Sequence, residues 1–387
     1  LTEILFPKIM FSAGESSGDQ HAANMFNELK KLSPGIQGLG MGSTKMRQAG
    51  IKLCFDSSGI AVIGLIEVLK HYGEIHAALK LLKKTILQEQ PDLLVCVDYK
   101  EFNLKLARFA KKKGIKVLFY VSPQVWAWRE DRVITYGKAI DMMAVIFPFE
   151  TAYYEAENVP VKYVGHPSVD KVHPQQGKIQ NAAKFSLRLD KPVVGILPGS
   201  RENEIKRMLP VMLGAAEQLA KLHNGVQFVL PQADSISDEL LQRYLSRSVV
   251  KVIVIKHQPY DVIQCCDAIM TTSGTASLEI ALLQVPMVIA YKLSASTYFL
   301  AKKLVKARFI GLPNIIAGKG IIKELIQDEV TQENLTAEIH HILENTVYRM
   351  TMLSALADVK EKLGPGGGSK NMAELVMKML QPGALRL

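Results

Sequence analysis

Three observations predict an α/β fold of two doubly wound, Rossmann-like domains facing a cleft. Short β-rich apolar runs alternate with longer helical stretches along nearly the whole chain, the pattern of βαβ units and parallel sheets. Runs such as "DLLVCVD" and "DAIMTTS" are continuously apolar, which suits strands buried on both faces. The two halves also share one plan. Each opens on an apolar strand that runs into a Gly-containing turn and a helix start, "PKIMFSAGESSGD" at 7–19 and "PVVGILPGSRENE" at 192–204.

In chain order, the first half predicts strands at 7–13, 92–98, 115–122, 141–147 and 161–165, with weaker candidates at 35–42 and 51–55. A polar stretch with two prolines, "GHPSVDKVHPQQGKIQNAAK", reads as the linker. The second half predicts strands at 192–198, 226–231, 250–256, 267–272 and 286–291. "GPGGG" at 364–368 reads as a joint, and "SKNMAELVMKML" after it has apolar residues at 372, 375, 376 and 379, a helical period. The expected domains are 1–168, 169–363 and a terminal segment 364–387 that crosses back to the first domain or docks on a second copy as a homodimer.

The 387 residues are 48% apolar and carry a net charge of +10. That charge favours an acidic partner, but no Arg-rich tract, RNP-like motif or zinc finger points to nucleic acid. The four cysteines, Cys54, Cys96, Cys265 and Cys266, fit neither a zinc site nor a disulfide framework, and a reducing cytoplasm is the expectation. No secretory signal or uncharged spanning segment is visible.

Two turns suit anions. In "LPGSRENE", Gly199, Ser200 and Arg201 offer backbone N–H groups at a helix start plus a fixed cation with bidentate geometry. In "TTSGTASLE", Ser273, Gly274 and Thr275 repeat the arrangement, and Glu279 stands near enough to the helix start to accept ribose hydroxyls. Each turn taken alone reads equally as an ordinary capped βα junction. "AGESSGD" lacks the Gly-x-Gly-x-x-Gly dinucleotide spacing; Ser17 or Asp19 as the cap of the first helix is its plain reading. Asp98 ends an apolar strand, where α/β ligands bind; its plain reading is a cap for the helix that follows. His166 in "VGHP" reads as structural.

The chain resembles the lipid-A-disaccharide synthase family, glycosyltransferases of the two-domain B-type fold. The resemblance runs nearly end to end through "AGESSGD", "GLIEVL", "VDYKEFN", "YVSPQVWAWR", "FPFE", "YVGHP", "LPGSR", "SGTASLE" and "LPNIIAGK". One departure is Glu101, which stands where a second aspartate is usual. The resemblance implies an inverting enzyme that joins UDP-2,3-diacylglucosamine to 2,3-diacylglucosamine 1-phosphate (lipid X), forms a β-1,6 linkage and releases UDP. It implies Asp98 as general base and Arg201 at the diphosphate, with Asn314 facing the donor. Gly14, Glu15, Ser16, Ser17 and Arg129 are the implied acceptor contacts. No Asp-x-Asp occurs, and neither metal nor cofactor is expected. Two further readings stay open: another B-type UDP-sugar enzyme, a UDP-N-acetylglucosamine 2-epimerase or the peptidoglycan glycosyltransferase, and a non-catalytic nucleotide-sugar sensor.

"AVIGLIEVLKHYGEIHAALKLLKK" is apolar at helical spacing with lysines beside it. Because the substrates carry acyl chains, Val62, Ile63, Leu65, Ile66, Val68 and Leu69 are expected to touch an anionic inner-membrane surface from the cytoplasmic side.

Overall fold

The computed structural model describes residues 6–59, 72–128, 131–293, 298 and 308–381. They divide into one unit of 1–167 plus 365–387 and a second of 168–364. The first contains a seven-stranded parallel sheet: β1 (Lys8–Ala13), β2 (Gln37–Gly42), β3 (Lys52–Asp56), β4 (Leu93–Val97), β5 (Lys116–Tyr120), β6 (Met142–Val145) and β7 (Val161–Tyr163). Its order is β3-β2-β1-β4-β5-β6-β7. The second has β8 (Val193–Leu197), β9 (Gln227–Gln232), β10 (Val252–Lys256), β11 (Ala268–Thr271), β12 (Met287–Tyr291) and β13 (Glu324–Ile326), ordered β10-β9-β8-β11-β12-β13 and parallel throughout. In each sheet the order reverses beside its first strand, which puts the βα turns after β1 and β8 at the switch points where α/β ligands bind.

The pattern of β4 shows why these strands read as unbroken apolar runs. All five residues are buried. Leu94 and Cys96 enter the core on one face of the sheet, and Leu93, Val95 and Val97 enter the core on the other, the period-two alternation of a pleated strand. Burial pushes the Cys96 thiol well above its ordinary pKa, so this cysteine is packing material. All four cysteines are free.

From Ser168 onward the polar stretch read as a linker is built into the second unit. Its residues form helices Pro167–Lys171 and Lys178–Lys184. Ala182, Phe185 and Leu187 join the core there. Asp261 accepts from Gln175 N–H at 2.7 Å and from Asn181 Nδ2 at 2.9 Å. Polar composition here reflects hydrogen bonds to a buried carboxylate.

At the other boundary Gly364, Gly366 and Gly367 all have positive φ, 72°, 90° and 79°. The helix Gly368–Leu380 then packs on Ser16–Leu32 of the first unit. Met372, Ala373, Val376 and Met379 are buried there. Lys116 Nζ donates to the Met379 carbonyl at 2.6 Å, and Asn371 Nδ2 to the Val164 carbonyl at 3.0 Å. The apolar face considered above for a homodimer is covered by its own chain.

Candidate active site

In the first unit, β1 and β4 end side by side and one buried residue ties them together. Asn103 is fully buried. Its Oδ1 accepts from Ser12 Oγ at 2.6 Å, and its Nδ2 donates to the carbonyls of Ser12 (3.1 Å) and Asp98 (2.7 Å). That clamp holds a strained corner. Asp98 and Tyr99 have φ of 48° and 45°, the left-handed region that costs a non-glycine residue of order 1–3 kcal/mol and recurs at functional sites. The helix Lys100–Lys112 has Tyr99 at its N-cap with no side-chain cap. The plain reading of Asp98 as a helix cap is therefore corrected: its carboxylate is not used in that way. Burial raises the Asp98 carboxyl above its ordinary pKa, opposed by Lys100 and a backbone hydrogen bond. Burial, together with the Asp98 charge, raises Glu15 likewise.

The "AGESSGD" turn divides its work. Gly14 is buried, and a Cβ there would lie 2.4 Å from the Tyr99 ring. Gly14 is thus a close-approach position beneath Tyr99. Glu15 is the N-cap residue of Ser16–Leu32 but makes no side-chain cap. Asp19, buried, accepts from the backbone N–H groups of Ser43 (2.6 Å), Lys45 (2.9 Å) and Met46 (3.3 Å). It thus caps the helix Thr44–Gln48 rather than its own. Ser16 and Ser17 are exposed. Arg129 and the stretch 62–69 lie outside the described residues. His166 is buried against Phe147, ring centroids 4.8 Å apart, and burial with His21 nearby lowers its pKa to about 4; it is neutral at pH 7.

In the second unit the turns after β8, β9, β10 and β11 surround a cavity of about 880 Å³. Gly199, Ser200, Arg201, Ser273, Gly274, Thr275 and Glu279 all line it. Glu279 accepts from the Tyr260 hydroxyl at 3.0 Å. Burial raises its carboxyl pKa against the opposing pulls of Tyr260 and Lys171. Ser273 Oγ donates to the Ile310 carbonyl at 2.7 Å, so this hydroxyl anchors a neighbouring loop.

Glu204 was not singled out in the sequence, and it changes how "LPGSR" works. Its Oε2 accepts from the backbone N–H groups of Ser200 (3.0 Å) and Arg201 (3.2 Å), and its Oε1 from Arg201 Nη1 at 3.2 Å. Gly199 permits this: its φ is 115°, and a Cβ would sit 2.3 Å from Glu204 Oε2. A carboxylate of the chain itself thus occupies donors that the sequence reading offers to phosphate. The Arg201 side chain is 67% exposed, and the residue lines the cavity.

Asn314 does not join the pocket. It is fully buried. Nδ2 donates to the Ile322 carbonyl (2.8 Å) and Glu324 (2.7 Å), and Oδ1 accepts from Ile321 and Ile322 N–H, both 2.9 Å. With both ends of the amide engaged, Asn314 fixes the loop leading to β13. Sequence reasoning also missed His257 and Asp234, paired at 3.0 Å on the cavity wall. Their signal was position alone: each follows the end of a strand.

Two doubly wound, Rossmann-like units, one with a cavity at its strand ends, define the class by fold as the two-domain B-type glycosyltransferase architecture. The family model described as lipid-A-disaccharide synthetase matches residues 9–378. The lipid-A-disaccharide synthase of Geobacter sulfurreducens is 46% identical over 380 residues, covering 98% of this chain and 99% of its own. That of Nitrosococcus oceani is 43% identical over 375 residues, covering 97% of each. The chain belongs to the lipid-A-disaccharide synthase family and is a glycosyltransferase of lipid A biosynthesis. The UDP-GlcNAc 2-epimerase from Neisseria meningitidis, solved bound to UDP-GlcNAc, superposes with a TM-score of 0.63 at 16% identity, covering 97% of this chain and 100% of its own. That likeness is one of fold.

Proposed function

We propose that the second unit's cavity holds UDP-2,3-diacylglucosamine and that Asp98 of the first unit activates 2,3-diacylglucosamine 1-phosphate. The carrying observation is the cavity's pairing of an exposed Arg201 at one helix start with Glu279 behind another: cation for diphosphate, carboxylate for ribose hydroxyls. Asp98 takes the proton of the acceptor 6-hydroxyl as its oxygen attacks the anomeric carbon. The bond from that carbon to the diphosphate breaks, its electron pair leaves with UDP, and the configuration inverts. The test is incubation of the chain with both substrates. UDP and a β-1,6 disaccharide 1-phosphate should appear in equal amounts. UDP without disaccharide, or an epimerised sugar nucleotide, would reject the reading.

The acyl chains of both substrates give a purpose to lipid contact. Among the described residues no helix is long and apolar enough to cross a membrane. We infer contact through Val62, Ile63, Leu65, Ile66, Val68 and Leu69, with the net charge of +10 favouring an anionic surface. Replacing Ile63, Leu65, Val68 and Leu69 by serine should leave circular dichroism unchanged and release the protein from anionic vesicles in flotation. An unfolded variant would identify these side chains as core.

A further inference from the structure

The helix Glu202–Leu222 begins at the cavity, and its 21 residues carry the chain roughly 30 Å away at about 1.5 Å per residue. At that far end it meets the helix Gln332–Glu344. The two pack closely: Thr336 Oγ1 donates to the Ala215 carbonyl at 3.3 Å, and Gly214 lies against the Gln332 side chain. His223 follows the first helix. His340 and Glu344 stand four residues apart on the second, the spacing that puts two side chains on one face. The ring nitrogens His223 Nε2 and His340 Nδ1 are 3.0 Å apart, and His223 Nδ1 is 3.4 Å from Glu344 Oε1. One ligand atom from each of the three residues falls within 4.8 Å of the others.

We propose that His223, His340 and Glu344 form a binding site for a divalent transition-metal ion of the Zn²⁺ class, separate from the sugar-nucleotide cavity. Two imidazoles and a carboxylate suit Zn²⁺, Ni²⁺ or Cu²⁺, whereas Mg²⁺ and Ca²⁺ prefer all-oxygen shells. For Zn–N bonds of about 2.0–2.1 Å, tetrahedral geometry asks the two nitrogens to separate by only about 0.3 Å. Whichever of the two facing nitrogens carries the shared proton, tautomer exchange at that imidazole frees its lone pair without net proton release. His223 is buried and supplies a fixed ligand, while Glu344 is 62% exposed and closes onto the ion by side-chain rotation, with water completing the shell. The alternative occupant of the 3.0 Å gap is a proton, as an N–H···N hydrogen bond. The ion would join the C-terminal ends of two packed helices, where cations are favoured by the exposed carbonyls, and would stabilise the second unit.

Titration calorimetry of the full chain with ZnCl₂, and with MgCl₂ as control, tests this. The wild type should bind one Zn²⁺ that His340→Ala loses by 100-fold or more in affinity and Glu344→Gln weakens about tenfold. At a hundredfold excess over Kd, zinc should raise the Tm of the wild type by roughly 5 °C and leave that of His340→Ala unchanged. Transferase turnover should be the same in all three proteins without zinc. Equal zinc binding by wild type and His340→Ala, or none by the wild type, would leave the pair as a hydrogen bond and overturn the proposal. Should His340→Ala fail to fold, imidazole nitrogen NMR of the wild type decides. One equivalent of zinc should move two histidine resonances to metal-bound positions, and unmoved resonances would reject the site.

Discussion

Asp98→Asn should fold and bind UDP as the wild type does while losing about 10²–10⁴-fold in kcat, the usual worth of a general base. The substitution keeps the shape of the side chain and removes its basicity. The environment of the corner sharpens the expectation. Burial raises the Asp98 pKa above its ordinary 3.8, so the folded state holds its proton more tightly than the unfolded chain does. A base must be deprotonated to act, so the acid limb of the wild-type kcat/KM profile should lie above the ordinary aspartate pKa, with activity rising with pH through it. The same shift sets the sign of a stability effect. A raised pKa contributes stability at low pH that is lost as pH rises through the folded-state pKa; at pH 7 the ionised carboxylate is a burden to the fold. Asp98→Asn should therefore melt no lower than the wild type at pH 7. A fully active variant would remove Asp98 from the mechanism, and a variant that melts lower and fails to bind UDP would mark the residue as structural.

Arg201→Ala should lower kcat by about 10²-fold or more, the typical loss when a preorganised group facing developing charge is removed. UDP gains negative charge as it leaves, and the exposed guanidinium is the cation that the cavity's first turn supplies. Glu204 adds to the effect. In the wild type its carboxylate is balanced by Arg201 at 3.2 Å; without the guanidinium only two backbone N–H groups would hold its charge, which should repel a diphosphate and raise the donor KM as well. Arg201→Lys should recover part of kcat, since a lysine restores charge but not the two-pronged geometry. Stability should hardly move, because an exposed ion pair contributes about 0–1 kcal/mol. Wild-type kcat with an unchanged donor KM in Arg201→Ala would sink the assignment.

Much of the candidate site was legible because its parts are local. Asp98 and Arg201 each sit within a few residues of a strand end, Glu279 lies in the helix after the next such turn, and strands buried on both faces announce themselves by apolar run alone. Even glycine-rich β2, "QGLGMG", was found as a weaker strand. The residues missed act across distance. Asn103 stands in a quoted motif, yet its partner Ser12 is 91 residues away. Asp19 spends its carboxylate on the turn at Ser43, 24 residues on. Glu204 is near in sequence, but its carboxylate folds back onto the loop only because Gly199 leaves room.

From the sequence by itself came the two-domain α/β class, twelve of the strands, the switch-point turns and the family motifs, since periodicity and turn chemistry are properties of short segments. Only the tertiary structure decided the rest. The three-residue β13 exists by its register with β12, Ile289 beside Glu324, and no apolar run announced it. That the Asn314 amide bonds Ile321, Ile322 and Glu324 was likewise fixed by packing. The terminal helix could have covered any apolar surface; the face of Ser16–Leu32 and the Lys116 and Asn371 hydrogen bonds chose one. The physical reason is the same in each case: a hydrogen bond or buried contact between distant segments depends on which surfaces folding brings together, and that information is not carried by either segment alone.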